Sequence, residues 1–437
     1  MKNTKNIALI AIVLLTAFSI LTGCSVIGSR FIDEPTIYIQ PTSTPMETTA
    51  EEITTPMPED TEIPPAATPR IPNELYSDIV VLRDTMGEYD DFAQLVEKMS
   101  EVGLSFYLTD DNINGLFGSD DVILLKVNSQ WNQRGGTNTD LLDSVIQAIT
   151  NHPDGFTGEI IVADNGQAQY GTFRNGGSLD WEENNAIDKS QSAQDVVDRY
   201  SDKYKVSTYL WDTITTTRVD EYSQNDDTDG FVLYFKSDPV TEIKVSYPKF
   251  TTKYGTKVSF KYGIWDNTTQ SYYKDKFKVI NMPVLKTHGT YGVTACIKSY
   301  MGVPSDKLTK TVSHFSIDTG GMGTLMAETT VPTLNILDAI WINPIRGPRT
   351  EYYKAVNTQI VAVSTDPFAL DFWAVNNVLL PEAKAAGNTN LSKIYTDDSN
   401  TPTAFGHWMR LSIVPLLEKG YIMRFSDDET NVYEVDD

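Results

Sequence analysis

Lysines, aspartates, amides and one histidine gather at the ends of short apolar runs, where they could together hold an anion. Lys126 and Asn128 close one run, Asp164 and Asn165 a second, and Lys286 and His288 a third. Asp338 lies late in a fourth run, Asp366 follows a fifth, and Lys298 comes shortly after His288. Ammonium groups neutralise a phosphate or carboxylate, and aspartates accept bonds from hydroxyls or amines. An imidazole titrates near neutral pH, which makes His288 a candidate acid–base. The loop Thr287-His288-Gly289-Thr290-Tyr291-Gly292 precedes a predicted helix, whose free amides and positive dipole end favour an anion.

Each group also has a structural use. Lys126, inside an apolar strand, suits an ion pair with an Asp of the neighbouring strand, because buried lysines are rarely unpaired. Asp366 before Pro367 suits a helix N-cap. Asp338 fits a structural role as readily as a functional one. His288 and His314 could ligate a metal with Asp318, but no two histidines sit at a spacing that forces them together. Trp211, Tyr247, Trp265, Tyr272 and Tyr273 could form a sugar-stacking face or the core of a β-rich subdomain.

The elements that must position these groups follow from apolar periodicity. Asp121–Val127 and Glu159–Asp164 read as buried parallel strands. Between them Thr139 can cap a helix carrying Leu141, Leu142, Val145, Ile146 and Ile149 at helical spacing, which makes a right-handed βαβ unit. Phe277–Leu285 predicts a strand, Val293–Met301 a helix, and Leu334–Ile342 and Ile360–Ser364 two more strands. The last runs into Asp366-Pro367 and a helix from Phe368 to about Leu380. The alternation predicts an α/β fold with a mostly parallel, doubly wound sheet, whose ligand crevice lies outside the carboxyl ends of the strands. Between about 166 and 275 the texture changes to β-branched and aromatic alternation, which predicts an antiparallel β-rich insertion.

At the N-terminus, Lys2 and Lys5 lead into an apolar or small run from Ile7 to Leu21, then Leu21-Thr22-Gly23-Cys24. This is a signal-peptide pattern, too short for a spanning helix. The last four residues resemble the lipobox of bacterial lipoproteins, which implies cleavage after Gly23 and a lipid on Cys24. The resemblance puts the protein on the outer face of the cytoplasmic membrane, with residues 1–23 removed. Residues 24–72 are dominated by Thr, Pro and Glu; they predict a disordered stalk reaching up to roughly 100 Å. Residues 73–437 remain for the α/β domain. Without Lys2 and Lys5 there are 33 basic against 59 acidic side chains, a formal charge of about −26. Such a surface repels phosphate backbones, so nucleic acid is excluded as a partner. Past Cys24 the only cysteine is Cys296, so no intrachain disulfide, iron–sulfur cluster or zinc–thiolate site can be built.

No Gly-x-Ser-x-Gly elbow, His-Glu-x-x-His helix or Walker phosphate loop occurs. Asn225–Gly230 begins like an EF-hand loop, but its twelfth position is Lys236, so a solvated hairpin turn fits better. Four pieces of the core resemble the family called domain of unknown function 362. They are Leu124–Asn128 with Thr137–Asp140; Ile161–Asn165; Asn281–His288 with Lys298–Gly302; and Ile336–Ile340 with Ser364–Pro367 and Asp371. The third, Pro-x-Leu-Lys-Thr-His with Lys-x-x-Met-Gly, is the most specific. The resemblance runs from about Asp120 to Leu380, excluding the insertion. It implies the fold and a site but no reaction, and no cofactor can be named. Many relatives carry ferredoxin-type cysteine clusters, for which this chain lacks the cysteines. Three functions remain: a lipoprotein binding a small anionic ligand, an enzyme acting on a phosphorylated or carboxylated substrate, and a structural or adhesion protein.

Overall fold

The computed structural model describes residues 76–167 and 177–435. The signal segment, Cys24 and the Thr/Pro stalk lie outside them.

Continuous apolar runs, buried on both faces, build the centre of the main sheet. Its strands are β1 (Ser77–Leu82), β2 (Val122–Lys126), β3 (Glu159–Asp164) and β4 (Lys205–Leu210), then β11 (Phe277–Asn281), β12 (Val284–His288), β13 (Gly292–Thr294), β14 (Leu334–Asn343), β15 (Val356–Ser364) and β16 (Thr430–Glu434). The spatial order is β16-β1-β15-β14-β11-β2-β3-β4, with β12 beside β14 and β13 beside β12. From β14 to β4 every neighbouring pair is parallel. Against β14, however, β15 is antiparallel. Along β2 and β3, Leu124, Ile161 and Ala163 enter one core cluster, while Ile123, Leu125, Ile160 and Val162 enter the other. Both faces are therefore covered, as a parallel sheet requires.

One face packs against α1 (Tyr89–Glu101), α2 (Thr139–Thr150) and α3 (Ala193–Asp198). In α2 the cap is Asn138, whose Oδ1 accepts from the N–H groups of Asp140 and Leu141, rather than the expected Thr139, which is the first helical residue. Packing outweighs the cap here. A cap contributes about 1 kcal/mol, whereas burying each of Leu141, Leu142, Val145, Ile146 and Ile149 contributes about 1.5–3 kcal/mol.

The other face is covered by a second sheet and a set of short helices. The sheet comprises β5 (Arg218–Val219), β6 (Gly230–Leu233), β7 (Ser246–Thr251), β8 (Lys257–Ser259), β9 (Gly263–Asp266) and β10 (Ser271–Tyr273). The helices include α4 (Cys296–Ser299), α5 (Asp306–Thr309), α6 (Val312–Phe315), α7 (Gly321–Glu328), α8 (Pro367–Ala374), α9 (Leu380–Ala385) and α10 (Phe405–Glu418). The β-rich insertion is thus narrower than the sequence suggests, because β4 pairs with β3 in the main sheet. Trp211, Tyr247 and Trp265 are buried, so the aromatics of this region are mainly core. Asp226 pairs with Lys249 and Asp227 with Lys257. The acidic loop, which joins the parallel pair β5 and β6 rather than turning a hairpin, thereby holds its own sheet together.

Candidate functional site

The parallel strands carry several of the predicted groups to one edge. Lys126 ends β2 level with Ala163 of β3, so it lies one residue from Asp164 on the adjacent strand. Lys126 Nζ donates to Asp164 Oδ1 at 2.8 Å, to Ser299 Oγ at 3.1 Å and to the Val127 carbonyl at 3.0 Å. All three ammonium hydrogens are used. Asp164 Oδ2 accepts from the N–H of Ser129 at 2.8 Å and from its hydroxyl at 3.1 Å. Burial pushes the Asp164 carboxyl above the usual range, and Lys126 and Ser129 pull it back. The ion-pair reading of Lys126 is therefore the observed one.

Asn128 is a strut between three segments. Its Oδ1 accepts from the Val284 N–H at 2.8 Å, and its Nδ2 donates to Ser299 Oγ at 3.4 Å. Asn165 Nδ2 donates to the Pro304 carbonyl at 2.9 Å. Phe277–Leu285 is not one strand but two: Met282-Pro283 interrupts it, and β12 then continues beside the second half of β14. That shift carries Lys286 over the end of β2.

Lys286 is buried and donates to the Gly135 carbonyl. Desolvation, then repulsion from Lys298, lowers its pKa to about 7. Lys298, in α4, is also buried, and burial lowers its pKa to about 8. Its Nζ lies 5.8 Å from the ring centre of Tyr291. Among the described residues neither lysine has a carboxylate within ion-pair distance, unlike Lys126. Helix α4 is anchored by Asp371 of α8, whose Oδ1 accepts from Cys296 N–H at 2.7 Å and whose Oδ2 accepts from Ile297 N–H at 3.0 Å.

These residues line a polar cleft of about 30 Å³, bordered by Asn128, Asp164, Asn165, Lys286 and Lys298. Sequence reasoning did not single out Gln130, Trp131, Gln167, Thr294, Ser299, Met301, Gly302 and Pro348, which complete the lining. Ser299 and Gly302 lie within the Lys-x-x-Met-Gly motif, and Gln130 and Trp131 follow the carboxyl end of β2, where a crevice is expected. Thr294 was hidden because its segment reads as helix and forms β13 instead. At Gly302 a Cβ would stand 2.8 Å from Lys126 Nζ and closer still to Asp164 Oδ1, so the close approach requires glycine.

Three predicted residues are not part of the lining. His288 Nδ1 accepts from the N–H groups of Thr290 at 3.2 Å and Tyr291 at 3.1 Å. Burial, followed by repulsion from Lys298, His314, Lys286 and Lys393, pushes the imidazole far below its ordinary value. A neutral ring whose Nδ1 accepts carries its proton on Nε2 and is a donor, not a base. Asp338 is buried on the α2 side of the sheet; it accepts from the N–H groups of Asn138 at 2.8 Å and Ile340 at 3.1 Å. Burial raises its pKa to about 6. Asp366 is at the opposite edge, because β15 runs antiparallel and delivers its carboxyl end away from the cleft. There it caps α8 through Phe368 N–H at 2.8 Å and accepts from Ser77 Oγ and Arg424 N–H, each at 2.6 Å. His314 faces Asp306 at 3.6 Å. No group of three or more His, Cys, Asp or Glu side chains suited to a metal occurs among the described residues.

Residues 244–376 match the model of the family described as Domain of unknown function (DUF362). No curated protein and no solved structure matches the chain. The matched stretch carries Lys286, His288, Lys298, Asp338, Asp366 and Asp371 and takes in the later strands of the second sheet. It begins after Lys126, Asn128 and Asp164, so it is shorter than the stretch over which the sequence resembles the family. Over residues 244–376 the chain is similar to the domain of unknown function 362 family.

Proposed function

We propose that this protein is a lipoprotein, anchored through Cys24 on the outer face of the cytoplasmic membrane, whose cleft binds a small anionic ligand. The observation that carries the ligand reading is the pair of buried lysines at a polar cleft, Lys286 and Lys298, which among the described residues have no carboxylate within ion-pair distance. An uncompensated buried ammonium costs several kcal/mol, and a bound anion offsets that cost. The net acidic surface makes the cleft a local exception, which favours a small ligand over an anionic polymer.

Thermal shift of the full chain against phosphorylated and carboxylated metabolites tests this, since a ligand at a hundred times its Kd adds about 2.7 kcal/mol of stability. Stabilisation by an anion that disappears in Lys286→Met/Lys298→Met supports the cleft; no stabilisation by any anion removes it. For the anchor, Cys24→Ala is expected to move the protein from the membrane fraction to the soluble fraction and to abolish acyl labelling. Retention of both overturns the lipoprotein reading.

A second reading is an enzyme, a transferase, hydrolase or isomerase acting on such a ligand. It is favoured by the Lys286 amine, whose lowered pKa of about 7 suits proton transfer. Loss of turnover with binding retained in Lys286→Ala distinguishes it from a receptor.

A further inference from the structure

The charge balance of the cleft narrows the ligand class. Lys126 and Asp164 neutralise each other, while Lys286 and Lys298, when protonated, carry two positive charges with no counter-charge within ion-pair distance among the described residues. Two lining residues also hold buried donors that lack a partner among the described residues: the indole Nε1 of Trp131 and the Oγ1 of Thr294. Buried polar atoms are otherwise almost always hydrogen-bonded, so each such atom marks a place for an acceptor.

We propose, building on the anion-binding reading above, that the cleft is a subsite for a tetrahedral, doubly charged oxyanion group, phosphate or phosphate monoester, held by Lys286 and Lys298 with Thr294 and Trp131 as neutral donors. A carboxylate brings one charge and two oxygens; it leaves one buried ammonium uncompensated and one neutral donor unfilled. A phosphate brings two charges and enough oxygens for all four donors. The free space of about 30 Å³ sets the scale, since one water needs about 10–15 Å³ of such space. It admits one oxyanion group, and the rest of a phosphate monoester extends outside the cleft. Asp164 does not oppose the anion, because both its oxygens are occupied by Lys126 and Ser129.

The test is calorimetric titration of the full chain at neutral pH and constant ionic strength with sulfate, inorganic phosphate, glycerol phosphate and acetate. Sulfate and at least one phosphate are expected to bind at least ten-fold more tightly than acetate. Glycerol phosphate exceeding inorganic phosphate identifies a monoester as the ligand source, and the reverse identifies the free ion; either order supports the subsite. Lys298→Met is expected to weaken sulfate at least ten-fold and to remove its preference over acetate. Thr294→Val, a nearly isosteric change, is expected to weaken sulfate three-fold or more with an unchanged melting temperature, which separates lost binding from lost folding. Acetate binding as tightly as sulfate overturns the dianion proposal while leaving an anion cleft in place. Binding by none of the four overturns both.

Discussion

Gly302 shows how closely single residues are fitted at the cleft. Its Cα side faces the buried Lys126–Asp164 pair, and any side chain there meets both charged atoms. Gly302→Ala is expected to destabilise the domain by about 3 kcal/mol, because breaking a buried pair exposes an uncompensated charge. Urea unfolding measures this, and a change under about 1 kcal/mol would show that the pair relaxes freely. Lys286 makes the opposite prediction. Its pKa falls from 10.5 to about 7 on folding, through burial and Lys298, with Asp338 and Asp164 opposing the shift and Lys126 adding to it. Between those values the unfolded chain binds more protons, so the Lys286 contribution to stability rises with pH from about 7 to about 10.5 and is least favourable below 7. In anion-free buffer, Lys286→Met is therefore expected to equal or exceed the wild type in stability at pH 6, with its advantage shrinking towards pH 10. A stability deficit at pH 6 that vanishes at pH 10 would contradict an uncompensated ammonium.

At the scale of elements, α4 is too short to hold itself, since an isolated single turn has no favourable helix propagation. Asp371 of α8 supplies the cap from outside and so places Lys298 at the cleft. Burial raises the Asp371 carboxyl to about 7. A carboxyl raised on folding binds more protons folded than unfolded between about pH 4 and 7, so its contribution falls as pH rises through that window. Asp371→Asn is expected to flatten the pH dependence between 4 and 7, while Asp371→Ala orphans two buried amides and costs about 2 kcal/mol or more. Denaturant midpoints across that window check both. Equal effects of Asn and Ala would show that the side chain is not the cap. The direction of β15 matters as much: its antiparallel course removes Asp366 from the cleft and turns it into a clamp for Ser77 and Arg424.

The whole domain is a main sheet with two separate cores, and its first described strand depends on its last. β1 lies between β15 and β16, and β16 pairs with it in parallel from Ser77↔Thr430 to Val81↔Glu434. Removing residues 430–437 would uncover an edge bearing Val80 and Val81. That truncation is expected to lower the melting temperature by several degrees and to promote self-association, read by scanning calorimetry and size-exclusion chromatography. An unchanged monomer with an unchanged melting temperature would mean that β16 is dispensable.

The continuous apolar runs of β2, β3 and β14, the helical spacing in α2 and the position of lysines at apolar-run ends were all legible locally. Each is set by the local side-chain pattern, which an element expresses wherever it sits. The N-terminal pattern ending in Cys24 is likewise a property of consecutive residues. Strand direction is not, because an apolar run reads the same in either sense; only the pairing of β14 with β15 decides that Asp366 faces away. Nor does sequence reveal β1 and β16, whose partners lie hundreds of residues distant in the chain. The convergence of Lys126, Asn128, Asp164, Lys286 and Lys298 belongs to both levels. Their residue types suggested an anion site and an ion pair for Lys126, but that its partner is Asp164, and that Lys286 and Lys298 have no carboxylate within ion-pair distance among the described residues, was decided by tertiary packing, because pairing depends on distances of a few ångströms between separate strands.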